Sequence, residues 1–295
     1  MREIFKYGSV RGVMFPYVYK LNKLQETSMS TLQSKIRISN LKVWHLIVLN
    51  VFFVFSGEFM AYIFDLELAF RYAVIILFQL IFICFLFILF RPFSEINFFS
   101  KSGLRSKALV EGVIIGVVFW FAMLVSQISW RSLLLMCELD ACNDILDYYA
   151  IGSGPGTGIE PRLYWIMVVS FVFVGPIKEE LLYRITMYNL ISKRGRSALF
   201  SAGLVALIFA LFHLRYFIFF AMFSLTLSAL LKQYRSIVPL VIAHGIYNWL
   251  IYFVLPLGKA YSESSASLLV VLLSSCLMML LFYRAVRIIL ATEKH

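Results

Sequence analysis

A chain of 295 residues with 61% hydrophobic residues and a mean hydropathy of +0.86 has too little polar surface to cover soluble domains of that length. Its net charge of +11 could point to nucleic acid, but 22 of the 27 Lys and Arg fall in segments expected on one side of a membrane. The basic charge is therefore read as facing anionic lipid, no nucleic-acid partner is expected, and the expected fold is all-α, a polytopic integral membrane protein with about eight transmembrane helices.

Residues 1–43 form a basic segment, in which Lys and Arg alternate with Phe, Tyr and Met as far as position 24. It is expected to be cytoplasmic or to lie along the membrane interface. No cleavable signal peptide is expected, because mixed residues precede the first apolar stretch. The transmembrane domain is placed at 44–295, with spans at about 44–64, 69–90, 108–129, 163–178, 198–214, 216–231, 237–256 and 266–286. A span needs roughly 20 apolar residues to cross about 30 Å of hydrocarbon, so the shorter ones predict broken helices or helices longer than drawn. With the N-terminus inside, Lys and Arg gather in 1–43, 91–107, 178–197, 232–236 and 284–295, which predicts that both termini are cytoplasmic.

In the first span, Glu58 after Gly57 suggests a helix break. Glu111 sits close to the cytoplasmic end of the third. Cys84 and Cys276 are expected to be buried packing residues. Cys137 and Cys142 lie in the outer connection at 130–161, where an oxidising exterior permits a disulfide that the sequence leaves open. In the same connection, Gly152 through Gly158 has only a superficial likeness to a phosphate loop. It lacks the Gly-Lys-Ser/Thr ending and a preceding strand, so a flexible loop is expected.

Three later patches carry polar groups inside apolar segments: Glu179-Glu180-Leu181-Leu182-Tyr183-Arg184, Phe209-Ala210-Leu211-Phe212-His213 and His244-Gly245-Ile246-Tyr247-Asn248. A charged side chain near the bilayer centre costs about 2.5–3.5 kcal/mol on insertion scales, so such groups mark partners or a task. Pro176 is read as the first turn of a helix, which would put Glu179 and Glu180 at its N-terminal end. Neighbouring helical residues point about 100° apart, so the two cannot serve one site equally. Arg184, four residues beyond Glu180, is its expected structural partner, and Glu179 is left to face a cavity. His244 and Asn248 share one helix face and can donate hydrogen bonds to one oxyanion, with Gly245 between them admitting a close approach. A carboxylate with His213 can activate water. The simple topology raises a difficulty, since it sets Glu179 near the inner end of one span and His213 near the outer end of the next. A shared site then requires a longer helix or helices broken around a water-filled cavity, with Pro176 and Pro239 as break points.

The ordered set resembles the CPBP family, the type II CAAX-prenyl proteases and bacteriocin-processing (Abi) intramembrane proteases. Their pattern Glu-Glu-x-x-x-Arg, Phe-x-x-x-His, His-x-x-x-Asn reads here Glu179-Glu180…Arg184, Phe209…His213 and His244…Asn248. Tyr183 and Ile185 stand where many members have Phe and Gly. The resemblance implies a catalytic core at 163–256 in a glutamate-type intramembrane endopeptidase, placed in a bacterial inner or cell membrane. It implies that Glu179 and His213 activate water, that His244 and Asn248 form an oxyanion hole, that Glu180 and Arg184 support the site, and that no cofactor is needed. The implied partners are a membrane-associated protein or peptide substrate and the lipid bilayer. Three alternatives stay open: a zinc-dependent protease with Glu179, His213 and His244 as ligands, a non-catalytic membrane immunity or regulatory protein, and a proton-coupled transporter.

Overall fold

The computed structural model describes residues 42–64, 66–90, 101–136, 161–254 and 268–291. The chain divides into two units, residues 1–45 and 46–295. The described part of the first is 42–45, where His45 Nδ1 accepts the backbone N–H of Lys42 at 2.9 Å. The basic segment up to residue 41, Cys137, Cys142, the Gly152–Gly158 stretch and His295 lie outside the described residues.

Among the described residues every regular element is helical. In chain order they are α1 (Val43–Ile63), α2 (Leu68–Phe90), α3 (Ser106–Met136), α4 (residues 161–192), α5 (Ala198–Leu211), α6 (Phe217–Tyr234), α7 (residues 238–254) and α8 (Leu268–Ala291). Each of the eight expected spans has its helix. Five stretches are long and apolar enough to cross a membrane: Val43–Ile63, Leu68–Ile88, Ser106–Val125, Phe217–Tyr234 and Leu272–Ala291. The protein is therefore an integral membrane protein of all-α class.

The helices differ in how they meet lipid. Within these stretches 17% of the α2 window is buried, against 61% for α6. Phe70 and Ile88 of α2 and Leu280 of α8 are exposed, an apolar surface suited to hydrocarbon. Cys84 and Cys276 are exposed too, which corrects the expectation of buried packing. In a membrane protein both the core and the lipid face are apolar, so composition does not separate them. The break expected at Gly57-Glu58 is absent, since α1 runs unbroken through it with Glu58 exposed.

The largest correction concerns α4. It does not start at Pro176 but runs from Pro161 through Ser192 as alternating α and π turns: Pro161–Val168, Val169–Val174 (π), Gly175–Glu180, Leu181–Met187 (π) and Tyr188–Ser192. Proline lacks an N–H, and its ring clashes with the carbonyl four residues back in a regular α-helix. Here the preceding turn is π, with the Gly175 N–H bonded to Ser170 O, and the wider turn lets the helix continue through Pro176. Glu179 and Glu180 thus sit mid-helix, away from any N-terminal dipole.

α5 begins at an N-cap, where Ser197 Oγ accepts the Phe200 N–H at 3.1 Å. Its 14 residues reach about 21 Å at 1.5 Å per residue, short of the hydrocarbon thickness. The chain then breaks, turns through a 3-10 segment at Leu214–Tyr216, and α6 runs back to Arg235, whose left-handed backbone (φ 47°) ends it. Pro239 stands in the first turn of α7, where it starts a helix instead of breaking one. α7 lies close against α3 because Gly112 and Gly116 have no side chains. A Cβ on either would come within 2.6 Å of the carbonyl oxygen of Pro239 or Ala243. Small residues four apart allow this approach of two membrane helices. The contact seats the helix that carries His244 and Asn248.

Candidate active site

Helix lengths set the depth of the site. From the turn at 193–197, Glu179 lies about 20 Å back along α4 and His213 about 20 Å forward along α5, at 1.5 Å per residue. The two therefore reach similar depth, and the topological difficulty raised by the sequence disappears. Both line a cavity of about 490 Å³, together with His244 and Asn248 from α7. The irregular backbone at Phe212–Tyr216 also borders this cavity, which is where non-helical backbone is tolerated at membrane depth.

Glu180 and Arg184 stand behind the cavity, both fully buried. Arg184 Nε lies 3.2 Å from Glu180 Oε2, close enough for an ion pair, although the angle falls short of a hydrogen bond. The guanidinium carbon also rests 4.7 Å from the Phe209 ring centre. The other Glu180 oxygen, Oε1, accepts from His244 Nδ1 at 2.7 Å. His244 Nε2 faces Glu179 Oε2 at 3.7 Å. His244 therefore bridges the two glutamates, a partnership that nothing in its own helix announces.

His213 is fixed at the end of α5. Its Nδ1 lies 2.8 Å from Phe209 O. A carbonyl can only accept, so Nδ1 carries the hydrogen, and in the neutral ring Nε2 is the acceptor. Phe209 and Phe220 stack obliquely on the ring, with centres 4.5 and 4.3 Å away.

The position of Asn248 follows from Pro176. In the π register of the preceding turn, Phe171 O would be served by the N–H of residue 176, which proline lacks. Asn248 Nδ2 donates to that carbonyl instead, at 2.8 Å. In the α register the neighbouring Val172 O loses the same donor, and it points at Gly245, where a Cβ would lie 2.7 Å from it. Pro176, Gly245 and Asn248 thus form one joint between α4 and α7. One amide hydrogen of Asn248 is used in it, and the second is left for a ligand.

Residues 161–250 match the family model described as type II CAAX prenyl endopeptidase, Rce1-like. Over this segment the chain is similar to the CAAX protease family. The matched stretch contains α4, α5, α6 and the α-helical part of α7, the elements that carry Glu179, His213, His244 and Asn248. The chain is accordingly a CAAX-type intramembrane endopeptidase, a peptide hydrolase. No curated protein and no solved structure gives a match.

Among the polar residues on the cavity wall that the sequence reading missed are Lys178 and Gln79. Lys178 had a signal, since Gly175, Lys178 and Glu179 fall at i, i+3 and i+4 and so share a helix face. Gln79 had only its polarity in an apolar run. Its Oε1 is buried with no hydrogen-bond partner among the described residues. Among the described residues no group of three or more His, Cys, Asp or Glu is arranged to hold a metal ion.

Proposed function

We propose that this protease hydrolyses a peptide bond of a membrane-associated protein or peptide with water activated by Glu179 and His213. The observation that carries the reading is the convergence of Glu179, His213, His244 and Asn248 on one cavity at membrane depth. In this mechanism water sits between the Glu179 carboxylate and His213 Nε2. The Phe209 carbonyl keeps Nδ1 protonated, so the acceptor nitrogen is the one offered to water. The water proton passes to one of the pair as the oxygen attacks the carbonyl carbon, and is later delivered to the leaving amine.

Asn248 and His244 hold the oxyanion in this reading. Asn248 offers its second amide hydrogen. His244 already donates Nδ1–H to Glu180, so a hydrogen on Nε2 requires the imidazolium. Glu179 Oε2 lies 3.7 Å from Nε2 and Glu180 Oε1 2.7 Å from Nδ1, so a carboxylate stands against each ring nitrogen. Glu180 and Arg184 then act by positioning His244. The charge asymmetry of the loops supports cytoplasmic termini, and a bacterial cell membrane remains the proposed location.

The test is N-terminal sequencing of the products from a candidate membrane-peptide substrate. Wild type is expected to release one defined product, and Glu179→Gln to lower turnover at least about 100-fold with insertion and melting preserved. Full turnover by Glu179→Gln sinks the reading. Chelation is expected to leave wild-type turnover unchanged. Loss on chelation that added zinc restores would put the zinc mechanism in its place.

A further inference from the structure

Lys178 lines the catalytic cavity and is only 7% exposed. Among the described residues no hydrogen bond or ion pair holds its ammonium, not even one to the adjacent Glu179. Gly175, one turn earlier, lines the same cavity, and a Cβ there would press on Ser170 O at 3.1 Å.

A strongly hydrated ammonium held out of bulk water is costly, and an apolar side chain of similar length would fit such a wall better. A charge in that position calls for an anion. The other cations near the site are engaged, with Arg184 on Glu180 and His244 between the two glutamates. The anion that a peptide brings into a hydrolytic cavity is a carboxylate, either its own C-terminus or an Asp or Glu side chain. Lys178 and Glu179 are neighbours in α4 and line the same cavity, so an extended peptide at about 3.3–3.6 Å per residue bridges the two in a few residues.

We propose that Lys178 is a carboxylate-binding subsite that holds an acidic group of the peptide substrate within a few residues of the scissile bond. The proposal rests on the cavity being the active site, as read above. It makes Lys178 a specificity-determining residue.

Binding of small probes to the full-length protein in detergent tests this without knowledge of the substrate. The probes are N-acetyl-trileucine with a free C-terminus, its C-terminal amide, and the amide with aspartate as the last residue. The readout is apparent affinity from ligand-dependent melting. Wild type and Glu179→Gln are both expected to bind one of the two acidic probes at least tenfold more tightly than trileucine amide. Which one is preferred assigns the carboxylate to the chain end or to a side chain. Lys178→Met is expected to abolish the preference and Lys178→Arg to keep most of it. Should Lys178→Met fail to fold, Lys178→Gln carries the same comparison. Equal affinity of wild type for all three probes, no binding of any, or a preference that survives Lys178→Met overturns the proposal. Turnover that survives Glu179→Gln would instead defeat the water-activation reading and leave this binding preference standing.

Discussion

Two polar clusters tie helices together in this protein. One joins α3, α6 and α8: Glu111 accepts from Gln233 Nε2 at 3.2 Å and from the Tyr234 hydroxyl, and it pairs with Arg284. The other joins α4 to α7 through Glu179, Glu180, Arg184 and His244. Both are carboxylates with cations on apolar helices, and in sequence they look alike. They differ in surroundings. Arg284 is 48% exposed, and the void beside Glu111 is about 10 Å³, the space of about one water. In the second cluster Glu180 and Arg184 are fully buried, while Glu179 and the His244 ring edge open onto a cavity of about 490 Å³. A polar cluster becomes a site when some members are ion-paired and buried behind others that face a void.

Breaking each cluster should sharpen this contrast. Glu180→Ala is expected to do most harm to stability, because it leaves Arg184 buried without its carboxylate and strips His244 of its Nδ1 partner. Losing one member of a buried pair costs about 3–5 kcal/mol, readable as a large drop in melting temperature in detergent. Glu179→Ala should melt near wild type, since that carboxylate faces the cavity. Equal losses for the two glutamates would erase the division between support and chemistry. Glu111→Gln should have the smallest effect, about 1 kcal/mol or less, because its partner reaches solvent or headgroups. Its turnover per folded molecule should match wild type. A turnover defect there would show that the two clusters are not separable.

The sequence carried the helices well. A helix stands at each of the eight expected spans, and five of them carry stretches long and apolar enough to cross a membrane, because a span must satisfy its backbone internally and be apolar over its length. Helix continuity was less legible. Pro176 reads locally as a helix start, and only the π turn at Val169–Val174 shows how α4 passes through it. The chemical patches stood out because Glu, His and Asn are rare in apolar segments. Their partnerships did not, since the His244–Glu180 bond joins residues 64 positions apart. The Gly112 and Gly116 pair was not picked out of the sequence, and Lys178, despite its spacing from Gly175, was passed over beside two more conspicuous glutamates. Cys84 and Cys276 were misjudged because lipid and core select the same apolar neighbours.

The central claim is that Glu179 and His213 act on one water. The most direct test is a double-mutant cycle on turnover with Glu179→Gln, His213→Ala and the combined variant. Each single change is expected to cost at least about 100-fold, and the pair little more than either alone, because groups that work as a unit are strongly non-additive. Losses that multiply fully in the double variant would mean that the two residues act independently, and would contradict the shared-water account.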